Sequence, residues 1–348
     1  MLSSIASRKC WEEWKARVSG DGKRRDEFEL IAELFAPLTK GAPGALNLSD
    51  DAAFLNVSSG CELVITTDTL IAGVHFFEND PPDTVARKAL RVNLSDLAAK
   101  GARPIGFTHA LALNPSIDDS YLEHYAAGLT ADVNEFKVPL LGGDTTTGPG
   151  PLTITITALG EVEIGKRLLR SGAGQGDGLY VTGTIGDAAL GLAFQNAALQ
   201  AEGIDTNALI QRYRLPTPRL REGQALLNIA TACLDISDGL VADVSHLCKV
   251  SGISAVIERE LIPLSLQARA AIKQDPYQWE RVLAGGDDYE LAFTVPTARV
   301  PELMHYAQKL QCQFTRIGVM TESNAGSDVT VLADGAALAL SRRGYLHR

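Results

Sequence analysis

Seven aspartates lie in short polar stretches of the chain that are rich in glycine, serine and threonine. They are Asp51 in LSDDAAFL, Asp68 in ITTDTL, Asp96 in NLSD, Asp144 in GGDTTTG, Asp235 and Asp238 in DISDG, and Asp287 in GGDDYEL. Each is predicted at the end of a strand or helix. Hard cations prefer oxygen ligands, and Mg²⁺ usually combines carboxylates with substrate phosphates and water. Several of these aspartates together therefore predict a site for a metal–nucleotide complex.

Each aspartate also has a simpler explanation when it is taken alone. Asp238 precedes a glycine and a predicted helix, so it could be an N-cap. Asp144 and Asp287 follow Gly-Gly pairs and could be turn residues. Asp96 could be a solvated side chain on a helix, and Asp68 a turn former at a strand end. The repetition of one chemistry at several places favours the metal site.

Composition and missing motifs exclude other classes of function. A net charge of −10 argues against a nucleic-acid partner, which would favour a basic surface. The five cysteines are scattered without a CxxC pair, which argues against a disulfide framework or a structural zinc site. The sequence contains neither a GxxxxGK[ST] loop nor the HRD and DFG motifs of protein kinases. No membrane span or signal peptide is expected, which predicts a cytoplasmic protein.

The elements that would position the aspartates alternate between strands and helices, which predicts two α/β domains with mixed sheets flanked by helices. Patterns typical of strands occur in CELVITTDTL, IGFTHALAL, LTITITALGEV, LYVTGT, CLDIS and YELAFTV. Patterns typical of helices occur in DEFELIAELFAPL, DTVARKALRVNLSDLAAKG, GDAALGLAF and GLVADVSHLCKVSG, and a further helix is expected after TPRLREGQALL. The glycine-rich RSGAGQGDG stretch is the best candidate for a boundary. We predict a flexible extension over residues 1–25, an N-terminal domain over 26–165 and a C-terminal domain over 166–348.

With these stretches identified, the chain resembles the thiamine-monophosphate kinase family, within the ATP-binding superfamily of aminoimidazole ribonucleotide synthetase. The matching stretches include DDAAFL, TTDTLIAGVHF, RKALRVNLSDLAAKGARP, LLGGDTTTGP, DISDGLVADVSHL, GGDDYEL and the terminal GYLH. They follow the family's order over roughly residues 26–348. The resemblance implies the two-domain fold of that superfamily, a homodimer formed through the N-terminal domains, and ATP and thiamine monophosphate as the bound partners.

The resemblance also implies roles for individual positions. The magnesium ligands would be Asp51, Thr66, Thr67, Asp68, Asp96, Asp144, Asp235 and Asp238. The ATP contacts would be Gly143, Asp144, Arg170 and Ser237. The contacts to thiamine monophosphate would be His75, Asp287 and Tyr345. Without the resemblance, a single histidine such as His75 is usually structural.

Three positions depart from the family pattern. The chain has Ser49-Asp50-Asp51 where Gly-Asp-Asp is usual, which keeps the ligand and changes the backbone freedom. It has Asp287 where glutamate is common, and Leu346 where the terminal motif usually has aspartate. These departures concern the contacts to thiamine monophosphate more than the metal ligands.

The reaction implied by the resemblance is ATP-dependent phosphorylation of thiamine monophosphate to thiamine diphosphate, with release of ADP. The attacking phosphate oxygen is already ionised at neutral pH, so a direct in-line transfer assisted by several Mg²⁺ ions needs no catalytic base. The alternatives are another ATP-dependent enzyme of the superfamily, similar to a purine synthetase, and a nucleotide-binding regulator without activity. The TTDTLIAGVHF and GGDDYEL stretches favour the kinase over the first alternative.

Overall fold

The structure is a computed structural model that describes residues 25, 27–200, 202–323 and 328–345. The extension predicted over residues 1–25 lies outside the described residues, except for Arg25. The first element of the described residues is a short helix, α1 (Glu27–Leu30), which continues as π-helical and 3₁₀ turns to Thr39. The helix predicted in this stretch is therefore present, although its turns are irregular.

A four-stranded sheet forms in the N-terminal half of the chain. Its strands are β1 (Cys61–Ile71), β2 (Arg103–Leu113), β3 (Leu140–Thr147) and β4 (Thr153–Glu163), in the order β1-β4-β2-β3. The helix α2 (Pro82–Ala99) precedes β2, and α3 (Asp119–Phe136) connects β2 to β3. Such a helical crossover is the usual connection between parallel strands, and β2 and β3 are parallel.

A seven-stranded mixed sheet forms in the C-terminal half. Its strands are β5 (Gly178–Thr182), β6 (Ala232–Asp235), β7 (Ser254–Glu258), β8 (Leu291–Val295), β9 (Phe314–Thr321), β10 (Val329–Ala333) and β11 (Ala336–Ala337), in the order β11-β10-β7-β9-β5-β8-β6. The helices are α4 (Asp187–Gln195), α5 (Thr206–Arg214), α6 (Leu220–Leu226), α7 (Leu240–Ser251), α8 (Leu266–Gln274), α9 (Trp279–Ala284) and α10 (Val300–Leu310). Only the β7–β10 pair is parallel among the pairings recorded for the described part of this sheet.

Strands β5, β6 and β8 of the seven-stranded sheet are buried on both faces. Along β5, Leu179 and Val181 pack into one apolar cluster, while Tyr180 packs into another. The first cluster includes the buried face of α7, and the second includes Leu303 of α10. Because successive side chains of a strand point to opposite faces, this pattern shows helices covering both sides of the sheet.

Contacts within the chain define two compact units. The first comprises the described residues up to Asn56, Thr67–Leu90 and Ile105–Ala158. The second comprises Val57–Thr66, Arg91–Pro104 and the described residues from Leu159 onward. The boundary predicted between residues 165 and 166 stays a prediction. Among the described helices, none is long and apolar enough to cross a membrane.

Candidate functional site

The first unit contains a cavity of about 530 Å³ that is lined by three residues of the predicted site, Asp51, Gly143 and Asp144. Asp144 lies inside β3, where it pairs with Ala110 of β2. The prediction that Asp144 ends an element is therefore wrong, and so is its alternative interpretation as a turn residue. The strand fixes the backbone of Asp144, and its side chain is exposed at the cavity.

Gly143 is required by the packing of the two parallel strands. It pairs with His109, and a Cβ atom at Gly143 would lie 2.0 Å from the His109 carbonyl oxygen. Real Cβ atoms do not approach a backbone oxygen so closely, so any side chain here would displace β2 from β3. The glycine therefore has a structural reason of its own, and it also leaves the backbone open towards the cavity.

His109 also lines this cavity and was not predicted from the sequence as a site residue. Its Nε2 lies 2.8 Å from the Tyr125 hydroxyl, and the imidazole is buried. Burial disfavours the charged imidazolium and lowers the pKa of His109 to about 4. His109 is therefore neutral at physiological pH. The sequence feature that could have identified His109 as a site residue is its position in the apolar strand IGFTHALAL, where a histidine is unusual.

Two predicted metal ligands, Thr67 and Asp68, have their side chains on opposite faces of strand β1. Thr67 is bonded to β4, because its hydroxyl donates to the Ile156 carbonyl at 3.1 Å and accepts from the Thr157 hydroxyl at 3.1 Å. Asp68 is the next residue along β1, so its side chain points to the opposite face of the strand. The structure therefore does not bring the Thr67 hydroxyl and the Asp68 carboxylate together. Asp68 also lies inside β1, so the prediction that it ends a strand is wrong.

His75 lies in a tight turn that follows β1. Its Nδ1 accepts a hydrogen bond from the Ile71 backbone N–H at 3.0 Å, and its carbonyl accepts one from the Lys88 ammonium at 3.1 Å. Because Nδ1 is an acceptor here, the neutral ring carries its proton on Nε2. The ring is half-buried and has a fixed orientation.

In the second unit, three predicted metal ligands lie near one another. The Thr66 hydroxyl donates a short hydrogen bond to Asp96, and the Ser95 hydroxyl donates to Asp235 at 2.7 Å. Burial, together with the nearby charge of Asp96, raises the pKa of Asp235 to about 7. Asp96 lies inside α2, so the prediction that it ends a helix is wrong. Asp235 does end its strand, β6.

A half-buried lysine, Lys100, borders this acidic pair. The Lys100 ammonium lies 3.4 Å from the Cys233 carbonyl oxygen. Burial lowers the pKa of Lys100, and the charge of Arg170, a predicted ATP contact, acts in the same direction. The charges of Asp96 and Asp235 oppose this shift. The second unit therefore places Asp96, Asp235, Lys100 and Arg170 within electrostatic range of one another.

The loop between β6 and α7, residues 237–239, brings together four predicted site residues. The Ser237 carbonyl accepts a hydrogen bond from the Asp287 N–H at 2.9 Å, and the Asp238 carbonyl accepts one from the Tyr345 N–H at 2.9 Å. Asp287 has a φ of 70°, which is the left-handed conformation common in turns. One ATP candidate, one metal candidate and both C-terminal substrate candidates therefore share one loop and its direct neighbours.

Asp243 holds this loop in place. Its Oδ2 accepts hydrogen bonds from the backbone N–H groups of Ser237, Asp238 and Gly239, at 3.0, 3.0 and 3.1 Å. The N-cap of α7 is Gly239, so the interpretation of Asp238 as the helix cap is wrong. Burial, with the charges of Asp235 and Asp238, raises the pKa of Asp243 to about 7. Sequence reasoning missed Asp243, because nothing in DISDGLVAD shows that its side chain reaches back to the loop.

The GGDDYEL stretch contains two further buried acids that the sequence did not single out. Asp288 accepts a hydrogen bond from the Gly186 N–H at 2.8 Å, at the start of α4. Glu290 accepts two hydrogen bonds from Arg219, both at 2.6 Å, and one from Arg212 at 2.7 Å. These bonds and charges outweigh burial and lower the pKa of Glu290. Both acids therefore fix the segment that carries Asp287.

Within the part of the chain that the structure describes, no three His, Cys, Asp or Glu side chains converge as a metal site. The acidic residues instead occur as a pair around Asp96 and Asp235, and as Asp51 and Asp144 at the cavity. Hydroxyl groups, a bound phosphate or water would have to complete either coordination sphere.

The chain is similar to proteins of known class over nearly its whole length. Residues 49–162 match the AIR synthase related protein, N-terminal domain family, and residues 174–330 match the corresponding C-terminal domain family. The thiamine-monophosphate kinase of Caulobacter vibrioides is 43% identical over 325 residues, which cover 92% of this chain and 90% of that protein.

Solved structures agree with this relationship. The crystal structure of thiamine-monophosphate kinase from Stenotrophomonas maltophilia K279a aligns with a TM-score of 0.75 and 39% identity, over 83% of this chain and 90% of that chain. The structure described as AaThiL complexed with AMPPCP and TMP aligns with a TM-score of 0.72 and 31% identity, over 94% of this chain and 100% of that chain. These matches confirm the resemblance, the α/β fold with mixed sheets and the phosphotransferase class. The chain belongs to the thiamine-monophosphate kinase family.

Proposed function

We propose that this chain transfers the terminal phosphoryl group of ATP to thiamine monophosphate, with the 237–239 loop of the second unit and its direct neighbours supplying contacts to both substrates. The observation that carries this assignment is the loop itself, where Ser237, Asp238, Asp287 and Tyr345 are joined by backbone hydrogen bonds. A protein that binds a nucleotide, a metal and a second phosphate needs these three kinds of contact close together. The complex of AaThiL with AMPPCP and TMP supports the same pair of ligands here.

The cavity of the first unit is the proposed place for part of the nucleotide. Asp51 and Asp144 supply carboxylate oxygens at its surface, and Gly143 leaves the backbone exposed. Apolar side chains from the first helical turns, including Phe28 and Ile31, line the same cavity. A cavity with one apolar wall and a few placed acids suits an aromatic base joined to a metal-bound phosphate chain.

The donor chemistry of both acidic groups fits Mg²⁺. Asp96, Asp235 and the Thr66 hydroxyl provide oxygen atoms, as do Asp51 and Asp144. A buried carboxylate beside a second one is costly without a cation, which is the physical cause of the raised pKa of Asp235. Asp51, Asp68, Asp96, Asp144, Asp235 and Asp238 are the proposed magnesium ligands. Thr66 and Thr67 complete the proposed set, although the Thr67 hydroxyl is bonded to β4.

When bound, Mg²⁺ would neutralise the charge of two phosphate groups that must approach each other. The residues of the chain position ATP and thiamine monophosphate. Asp243 and Asp287 fix the loop that carries Ser237, and Arg170 offers a positive charge to ATP. His75, Asp287 and Tyr345 are proposed to hold thiamine monophosphate, with the His75 Nε2–H as a donor. No side chain has to remove a proton, because the phosphate that attacks is already ionised.

We also propose that the chain is a homodimer. Strand β1 is at an edge of its sheet, and its Leu63 and Ile65 side chains are exposed. Exposed apolar side chains on an edge strand favour association with another surface. Sedimentation equilibrium of the wild type and of Ile65→Lys would test this. A cytoplasmic location and the absence of a nucleic-acid partner stay predictions.

The decisive experiment is an assay of the purified protein with ATP, Mg²⁺ and thiamine monophosphate. We expect thiamine diphosphate and ADP in equal amounts, and no ADP without thiamine monophosphate. ADP formed without thiamine diphosphate would favour another ATP-dependent reaction of the superfamily. Nucleotide binding without turnover would favour the inactive regulator.

A further inference from the structure

The C-terminal strap, which we define as residues 338–345, runs along the second unit and ends at the proposed site. It begins where the Leu338 N–H donates to the Val331 carbonyl at 2.8 Å. Leu338 and Leu340 pack against the apolar cluster that contains α7. It ends at Tyr345, whose N–H donates to the Asp238 carbonyl at 2.9 Å. The strap therefore joins the sheet to the 237–239 loop.

Glu280 on α9 holds the middle of the strap. Its Oε1 accepts hydrogen bonds from the Ser341 N–H at 2.8 Å and from the Arg342 N–H at 3.3 Å. The Ser341 hydroxyl donates a further short hydrogen bond to the same oxygen. These bonds keep the pKa of Glu280 below its usual range. One carboxylate oxygen thus accepts three hydrogen bonds from two consecutive strap residues.

The end of the strap has little room to move. A Cβ atom at Gly344 would lie 2.4 Å from the Ala242 Cβ and 3.1 Å from the Asp238 carbonyl oxygen. Glycine therefore allows the strap to lie directly on the first turn of α7. Because only Arg343 and Gly344 separate Arg342 from Tyr345, the bonds to Glu280 limit where the Tyr345 side chain can stand.

We infer that Glu280 is a positioning residue for thiamine monophosphate, which acts through the strap by fixing Tyr345 beside Asp238 and Asp287. This inference rests on the proposed substrate contact of Tyr345. Without the carboxylate, residues 341–345 regain conformational freedom that must be lost again when substrate binds. Half of the Tyr345 side chain is exposed, so the ring is accessible to a ligand. Because the ATP contacts are assigned to other residues, KM for ATP should not depend on Glu280.

The test is steady-state kinetics of Glu280→Ala with each substrate varied in turn. We expect KM for thiamine monophosphate to rise roughly three- to tenfold, as for the loss of one ordered contact, while KM for ATP stays unchanged. Glu280→Gln keeps a carbonyl oxygen that can accept from Ser341, so it should restore most of the wild-type KM. Glu260→Ala is the matched control, since Glu260 also accepts a backbone N–H, from Asp334, on another part of the second unit.

A double-mutant cycle with Tyr345→Ala separates this role from a general loss of stability. If Glu280 acts through Tyr345, the double variant should have the KM of Tyr345→Ala alone. Hydrogen exchange should be faster at residues 341–345 of Glu280→Ala and unchanged in β5 and β8. Independent, multiplicative effects on KM, or equal rises in KM for both substrates, would overturn the inference. So would a Tyr345→Ala variant with wild-type KM, whereas a wild type without thiamine diphosphate formation would instead refute the proposed function.

Discussion

Asp51 and Asp144 of the first unit differ from Asp96 and Asp235 of the second unit in their surroundings, although the sequence presents all four as the same kind of residue. Asp51 and Asp144 are exposed at a cavity. Asp235 is 5% exposed, accepts a hydrogen bond from Ser95 and has a pKa raised to about 7. The first pair can meet a ligand at little cost, while the second pair carries a cost that a cation would remove.

Proposed metal ligands of one protein can therefore be either exposed to solvent or buried at a cost in stability. Burying a carboxylate near another one destabilises the fold unless a positive charge is present. Lys100 supplies part of that charge in the second unit. Substitutions in each group can therefore separate its contribution to turnover from its contribution to stability.

The largest effect is expected for Asp144→Asn. Loss of a carboxylate from the proposed metal–phosphate site should lower kcat by roughly 100-fold or more. Its melting temperature should stay unchanged, because Asp144 is exposed. Asp118→Asn is the control for the same chemical change in the same unit, since Asp118 caps α3 and asparagine caps a helix equally well. Turnover near the wild-type rate would show that Asp144 is a strand residue without a role at the metal.

The next largest effect concerns His109, the buried titratable group beside the first-unit cavity. Its pKa falls from 6.5 to about 4, so between these values the unfolded state binds a proton that the native state does not. Stability should therefore fall by about 3 kcal/mol as the pH is lowered from 6.5 to 4. Urea unfolding across this range would measure the slope. In His109→Gln, the part of the pH dependence of stability that comes from His109 should be lost. In His124→Gln, which changes an exposed histidine, it should remain. Equal slopes of stability against pH in all three proteins would contradict the prediction.

Much of the fold was predictable, because several elements have strong local patterns. The strand predicted in CELVITTDTL is β1, and the helix that was expected to end before Gly101 is α2. The strand β3 was missed, because Gly142 and Gly143 interrupt its pattern and its stability comes from pairing with β2. Also not assigned were the helices α3, α5, α8, α9 and α10 and the strands β7, β9, β10 and β11. The helix expected after TPRLREGQALL instead lies within that stretch, as α6.

The candidate site was predictable in its residue types and less so in its geometry. Family motifs identified Ser237, Asp238, Asp287 and Tyr345, and the structure joins them by backbone bonds that no local pattern reveals. Asp243 was missed because its role depends on a side chain that reaches back to the preceding loop. Such tertiary contacts decide whether an aspartate is a ligand, a cap or a positioning residue.

A smaller effect is expected for Asp235→Asn. Unlike most substitutions, it should raise the stability of the fold. At pH 8 with EDTA, this variant should be more stable than the wild type by about 1–3 kcal/mol, because the buried charge beside Asp96 is removed. Asparagine can still accept from Ser95. Thermal melting would measure the gain, and Asp144→Asn should show none. Adding Mg²⁺ should stabilise the wild type more than it stabilises Asp235→Asn, which keeps the proposed ligands Asp51 and Asp144. A less stable variant in EDTA would refute the charge argument.

The smallest effect is expected at His75, where a structural role and a substrate contact can be separated by two substitutions. His75→Ala removes both the Nδ1 acceptor for the Ile71 N–H and the Nε2–H donor. His75→Asn keeps an acceptor near the Nδ1 position and removes the donor.

If His75 contacts thiamine monophosphate, both variants should raise its KM by roughly threefold to tenfold, while KM for ATP is unchanged. His75→Asn should also keep the wild-type melting temperature. If His75 is purely structural, His75→Asn should restore both stability and KM, and His75→Ala should disturb both substrates together. Kinetics with each substrate varied, combined with melting curves, therefore decide whether the first unit contributes a contact to thiamine monophosphate as well as the proposed metal ligands.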